Sequence, residues 1–324
     1  MPIRTPPHNP HDISRHDLPD ILGTIDSEVR GMFGSDMGKV ADYIPSLASV
    51  PPDQFGMAVV TLDGQVHAVG SARQPFSIQS MSKVHSLTMA LGAIGDDLWK
   101  RVGREPSGDP FNSLVQLEHE NGIPRNPFIN AGALVVADVL VSHFGSREAA
   151  ENALLAFVRA RSGNSDAGRD EEVAASERES GYRNVALVNF IRSFDNIRND
   201  VDDVLDFYFL QCALRMDCVE LARSVQYLAD GGHCATSGET VASPERVRRI
   251  NAVMMTCGTY DAAGEFAFHV GLPAKSGVGG GIVAVVPKVA SLCVWAPGLD
   301  EKGNSRLGGY ALHRFTRLTG LSVV

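Results

Sequence analysis

Cysteine, lysine and long apolar runs are all scarce in this 324-residue chain, and each shortage removes a class of function. The five cysteines, Cys212, Cys218, Cys234, Cys257 and Cys293, form no C-x-x-C pair and no zinc-like spacing. Neither a disulfide framework nor a cysteine-bound metal is expected, and the thiols read as free, mostly buried groups in a reducing compartment. Only six lysines are present and the formal net charge is −9, a balance that disfavours nucleic acid as a partner because phosphate backbones are held by clustered cations. The apolar stretches Ile129 to Val141 and Ile282 to Val286 fall short of the ~20 residues of a membrane span. No apolar segment follows the arginine of Met1-Pro2-Ile3-Arg4-Thr5-Pro6-Pro7, so no secretory signal is expected and the cytoplasm is the expected location. His8, His11 and His16 sit in a Pro-rich setting and read as part of a flexible tail over residues 1–20, not as a metal site. No metal and no cofactor is expected.

What is present suits a large packed domain. The chain is 44% apolar, enough to fill a substantial core. Helix-like spacing from about Ile21 to Leu47 meets a stop at Tyr43-Ile44-Pro45. Met57 to Thr61 and Val66 to Gly70 are β-rich runs joined through Asp63-Gly64, a hairpin signal. Helical patterns then occupy Lys83 to Ile94, Ala131 to Phe144, Arg147 to Arg161, Asn184 to Arg192, Asp202 to Arg215 and Cys218 to Ala229, with loops at Gly103 to Asn112 and Ser162 to Asp170. A helix over Glu245 to Thr256 precedes β signals at Phe266 to Val270, Gly281 to Val286 and Ser291 to Ala296, and a last helix between Ser305 and Thr319 ends at Gly320.

Strands at both ends with helices between them imply one sheet built from distant segments, an inserted helical region, and a cleft where the two meet. The expected division places a sheet subdomain at about 21–75 and 245–324, and a helical subdomain at about 76–244. No internal repeat is visible.

Phe76-Ser77-Ile78-Gln79-Ser80-Met81-Ser82-Lys83 holds the sole Ser-x-x-Lys of the chain. Residues three apart share a helix face, so the Lys83 amine can lie beside the Ser80 hydroxyl. Serine becomes a nucleophile when a neighbour takes its proton, and lysine can do so once burial or another cation keeps it neutral. By itself the spacing is better read as a surface lysine one turn beyond a capping serine. Leu272 to Ile282 supplies the second element, Lys275-Ser276-Gly277 followed by Gly279-Gly280-Gly281, where small residues let backbone approach a ligand and an N–H can face an oxyanion. The glycine run lacks Walker spacing and reads as a turn or tight strand, not a phosphate cradle. The order Ser-x-x-Lys, then a late Lys-Ser-Gly strand, resembles the serine β-lactamase and penicillin-binding-protein fold. That resemblance implies an α+β protein with a mostly antiparallel sheet flanked by helices.

Seven segments carry a closer resemblance: Phe76 to Lys83, Gly103 to Gly108, Asn126 to Ala133, Ser176 to Asn184, Asp206 to Phe209, Cys257 to Asp261 and Phe266 to Ile282. In this order, and over about Gly23 to Leu318, the chain resembles the serine-dependent glutaminases. The resemblance implies hydrolysis of free glutamine to glutamate and ammonia, with Ser80 as nucleophile, Lys83 as its base, and Tyr260 passing a proton to the departing ammonia. It also implies a substrate pocket of Tyr43, Gln79, Ser80, Asn130, Glu177, Asn184, Tyr208, Tyr260 and Val278. Glu177 and Asn184 match the residues holding the α-amino and α-carboxylate groups, and the N–H groups of Ser80 and Val278 match an oxyanion hole. A homodimer or homotetramer is expected on the same ground.

Residue type and spacing point elsewhere for several of these positions. Asn130 and Asn184 stand where they could cap helices, Tyr208 reads as core, and Glu177 lies among Glu171, Glu172 and Glu179 as part of an acidic face. Two rival functions follow from the same motifs. One is β-lactam or transpeptidase chemistry, which usually adds a Ser-x-Asn or Tyr-x-Asn element that has no clear counterpart here; the other is a non-catalytic glutamine sensor.

Overall fold

The computed structural model describes residue 13, residues 16–107 and residues 114–324. His8 and His11, and the end of the loop expected at Gly103 to Asn112, lie outside them. In chain order the elements are α1 (Leu18–Gly31), α2 (Pro45–Ala48), β1 (Gly56–Thr61), β2 (Val66–Gly70), β3 (Phe76–Ser77), α3 (Lys83–Ile94), α4 (Leu114–His119), α5 (Asn130–Phe144) and α6 (Arg147–Ser162). They continue with β4 (Gly168–Arg169), α7 (Glu171–Ser180), α8 (Tyr182–Arg192), α9 (Val201–Cys212), β5 (Leu214–Met216), α10 (Cys218–Ser224), α11 (Pro244–Cys257), α12 (Ala263–His269), β6 (Ala274–Gly277), β7 (Gly281–Val286), β8 (Ala290–Trp295) and α13 (Arg306–Thr319).

Five strands form an antiparallel sheet in the order β2-β1-β8-β7-β6, so the N-terminal hairpin and the C-terminal strands meet at β1 and β8. β1, β7 and β8 are buried at every residue, as continuous apolar runs require when both faces are covered, whereas edge strand β2 is partly exposed along its length. One face carries α1 and α13: Leu22, Ile25 and Val29 pack with Val59, Ile282, Leu292 and Phe315. Each such fully buried side chain stabilises by roughly 1.5–3 kcal/mol. The other face packs on the helical body, where Val60, Val283 and Trp295 join Val84, Leu134 and Leu221. Local chemistry sets the helix ends. Asp17 accepts from the Asp20 N–H at the start of α1, Asp217 and Glu220 cap α10 reciprocally, and Gly320 closes α13 at φ 68°.

Five sequence expectations are corrected. The helix expected over about Ile21 to Leu47 is α1 ending at Gly31 and the single turn α2, which Pro45 opens instead of closes because its missing N–H is harmless in a first turn. The helix expected to reach Arg215 stops at Cys212, since Leu214–Met216 pairs with β3 and β4 in a small second sheet. The helix expected to reach Ala229 ends at Ser224 and passes into a 3-10 turn. Phe266 to Val270 is not a strand but the end of α12, packed beside α11. α1 also begins at Leu18, inside the stretch read as tail. All five cysteines are buried and free. No helix among the described residues is long and apolar enough to cross a membrane.

Candidate active site

Ser80 sits in a 3-10 turn, Gln79–Ser82, that runs directly into α3. Strand β3 holds the near end of this segment, because Phe76 and Ser77 pair with Met216 and Arg215. Edge strand β6 and the turn after it close on the far side. A Cβ on Gly277 would stand 2.6 Å from the Ile78 carbonyl oxygen, and one on Gly279 would collide with the Ser77 carbonyl, so glycine at both positions lets the two backbones touch. Trp295 secures the turn by stacking on Phe76 at 5.1 Å and donating from Nε1 to the Gly279 carbonyl at 3.0 Å.

A cavity of about 1350 Å³ opens along this seam. Tyr43, Gln79, Ser80, Asn130, Glu177, Asn184, Tyr208, Tyr260 and Val278, the whole pocket expected from the sequence, line it. Lys83 does not. It is 1% exposed and lies behind the wall, where Nζ donates to the Phe128 carbonyl at 3.2 Å and to Asn130 Oδ1 at 2.8 Å. No hydrogen bond joins Lys83 to Ser80 among the described residues; the Tyr260 phenol, whose rise by burial Ser80 partly offsets, is the titratable side chain that Ser80 influences.

Burial dominates the electrostatics. Loss of water pushes the Lys83 amine down to about 8, against the pull of Cys212 and Glu177. A neutral amine has two N–H groups and a lone pair, and the two acceptors just named engage both N–H groups. The lone pair is what remains to accept a proton. Burial likewise raises Glu177, which Gln79, by a side-chain hydrogen bond, and Lys83 counteract. Tyr208 is held well above the usual phenol range by burial, and Tyr260 is raised by burial with partial relief from Ser80.

The local readings of Asn130, Asn184 and Glu177 fail here, whereas Tyr208 is core as its local reading has it. Asn130 begins α5 without capping it, and its Nδ2 donates to Asn184 Oδ1 at 3.1 Å. Asn126 caps that turn instead, accepting from the N–H groups of Phe128 and Ile129 at 3.0 and 3.1 Å. Asn184 lies within α8, facing inward. Glu177 is 8% exposed and belongs to no solvated face, and Tyr208, although buried, reaches the cavity. Among the lining residues that went unread is Cys212, whose thiol burial pushes up to about 12. It follows Tyr208 by four residues on α9, the spacing of one helix face, which was the available signal.

Two backbone outliers flank the nucleophile candidate. Gln79 at φ 50° and Tyr260 at φ 53° hold left-handed conformations that cost non-glycine residues about 1–3 kcal/mol each and persist where surrounding structure enforces them. The N–H groups of Ser80 and Val278 engage no backbone acceptor among the described residues. The arrangement offers a hydroxyl, a buried amine that loses its proton more readily than a free lysine, a phenol, two N–H donors and a buried carboxyl group, the parts an acyl-transfer site would need.

A family profile described as Glutaminase matches residues 38–324. A glutaminase of Rhizobium johnstonii is 57% identical over 307 residues, covering 95% of this chain and 98% of that protein. A glutaminase of Streptomyces coelicolor is 59% identical over 303 residues, covering 94% and 97%. Among solved structures, a probable glutaminase, YbaS, superposes with a TM-score of 0.89 at 33% identity, covering 94% of this chain and 97% of that one. Mglu in its glutamate form gives a TM-score of 0.88 at 34% identity, over 96% of this chain and 70% of that one. These neighbours share the α+β, serine β-lactamase-like architecture seen here.

Proposed function

The chain belongs to the glutaminase family, which makes it a hydrolase acting on an amide, and we propose that it converts free L-glutamine to L-glutamate and ammonia through an acyl-enzyme on Ser80. Lys83 takes the Ser80 proton, the oxygen attacks the side-chain carbonyl carbon, and the N–H groups of Ser80 and Val278 hold the oxyanion. The carbon–nitrogen bond breaks as Tyr260, resupplied from Lys83, protonates the leaving nitrogen. Water then attacks the ester, its proton passes to Lys83, and Ser80 is released with glutamate.

Free glutamine carries both charges on its α-carbon, and the pocket answers each. Glu177 takes the ammonium, whose arrival favours the carboxylate that burial disfavours. Asn184, with Asn130 and Tyr43, offers polar groups to the carboxylate. A protein-borne glutamine lacks both charges and meets an unmatched Glu177. One observation carries this reading: residues from Tyr43 to Val278 in sequence surround one cavity, and beneath it lies an amine that burial brings down to about 8. The relative solved in a glutamate form supports the same product.

The test is ammonia release by wild type and Ser80→Ala, with glutamine and asparagine side by side. Wild type should release ammonia from glutamine, with a weaker asparagine activity because one methylene separates the substrates by only ~1–3 kcal/mol. Binding without ammonia would make the protein a sensor, and turnover of a chromogenic cephalosporin would favour the β-lactam reading. A cytoplasmic homodimer or homotetramer rests on family resemblance, and light scattering over a range of concentrations measures its mass.

A further inference from the structure

Lys275 is a fully buried amine that this mechanism leaves unused. It stands on edge strand β6, outside the cavity lining, so it is not placed to meet the substrate. Its Nζ donates to the Ser276 carbonyl at 2.7 Å and to the Gly258 carbonyl at 3.0 Å, and lies 4.5 Å from the centre of the Tyr260 ring. The Phe128 ring closes the other side at 5.9 Å. Burial, helped by neighbouring Lys83, drives the amine well below its ordinary value, and the two carbonyls engage two of its N–H groups.

Both acceptors belong to the frame of Tyr260. Gly258 stands two residues before it, and the Ser276 carbonyl also accepts from the Tyr260 hydroxyl at 3.4 Å. The Gly258 carbonyl is itself bound by the Ser276 N–H at 3.1 Å. The amine therefore ties the turn before Tyr260 to the strand beneath its hydroxyl, in a stretch where Tyr260 keeps a left-handed backbone. We propose that Lys275 is a positioning residue, which clamps the Gly258 and Ser276 carbonyls under the Tyr260 ring and so holds the phenol against Ser80. The inference rests on Tyr260 being the proton relay of the reaction.

The experiment is a double-mutant cycle with Lys275→Met and Tyr260→Phe, read as kcat and KM for glutamine per folded enzyme. Lys275→Met lowers kcat by about 10²-fold, the scale of a misplaced catalytic group, and leaves KM within about threefold. On the Tyr260→Phe background the same substitution costs no more than about threefold, because the group it positions is already gone. Lys275→Gln, which keeps two N–H donors on a shorter stem, retains more kcat than methionine and replaces it in the cycle if the methionine variant does not fold. Equal losses on both backgrounds, an unaltered kcat in Lys275→Met, or a loss confined to KM would each overturn the proposal. A fully active Tyr260→Phe would instead remove the relay reading, and the cycle separates that failure from one of Lys275.

Discussion

At the inner end of the cavity Ser80 and Glu177 are each 8% exposed and Lys83 is 1% exposed, whereas at the mouth Tyr43 is 59% exposed. Arg306 and Asp36 pair beside it with side chains 45% and 67% exposed. The same kinds of group behave differently at the two ends. Inside, loss of water shifts Lys83 and Glu177 toward neutrality; outside, water weakens the attraction between paired charges. The proposed mechanism places the chemistry at the dry end, so substitutions at the two ends should differ by orders of magnitude.

The largest effect is expected from Ser80→Ala, which should lower kcat by about 10⁴-fold or more while calorimetry still detects glutamine binding. Retained turnover would take the nucleophile away from position 80. Lys83→Met should follow at roughly 10²–10⁴-fold, with a change in pH dependence. As the proposed base the amine must be deprotonated, and its value of about 8 lies below the usual 10.5, so wild-type kcat should rise with pH through about 8. The Lys83→Met profile should lack that limb; an unchanged limb would assign it to another group. Glu177→Gln keeps shape but removes the charge proposed to face the substrate ammonium, and should raise KM by about 10- to 100-fold with a smaller change in kcat. Smallest is Arg306→Ala at the mouth, where an exposed pair contributes about 0–1 kcal/mol and kcat/KM should stay within about threefold of wild type. A large loss there would erase the contrast between the two ends.

The difference between the ends also marks what could be read from residues. Elements with strong local patterns appeared where expected: the β1–β2 hairpin through Asp63-Gly64, α3 from Lys83 to Ile94, and α13 closed by Gly320. Misreadings fell where a distant partner outweighed local preference. Leu214–Met216 continues a helical pattern, yet pairing with Phe76 and Gly168 makes it a strand. Phe266 to Val270 is rich in aromatic and branched residues, yet lies at the end of a short helix against α11.

The candidate site shows the same division. Ser80 and Lys83 were legible from their spacing, while Asn130, Glu177, Asn184 and Tyr208 were singled out by family resemblance and not by residue type. Glu177 follows two glutamates on α7 and looks solvated until Tyr208 and Gln79 close over it. Lys275 was legible as part of Lys-Ser-Gly, but its partners, Gly258 and Tyr260, come from another segment.

By itself the sequence determined the order of most helices and strands, the Ser-x-x-Lys pair on one turn, and the glycines at 277 and 279 that permit close backbone approach. These depend on periods of two and 3.6 residues and on the presence or absence of a Cβ, all of them local properties. Only the tertiary structure decided that Lys83 is dry, that Asn130 and Asn184 hydrogen-bond each other, and that Tyr260 rests on Lys275 and meets Ser80. Desolvation and the matching of donors to acceptors depend on atoms from segments up to two hundred residues apart, and those distances come into being when the chain folds.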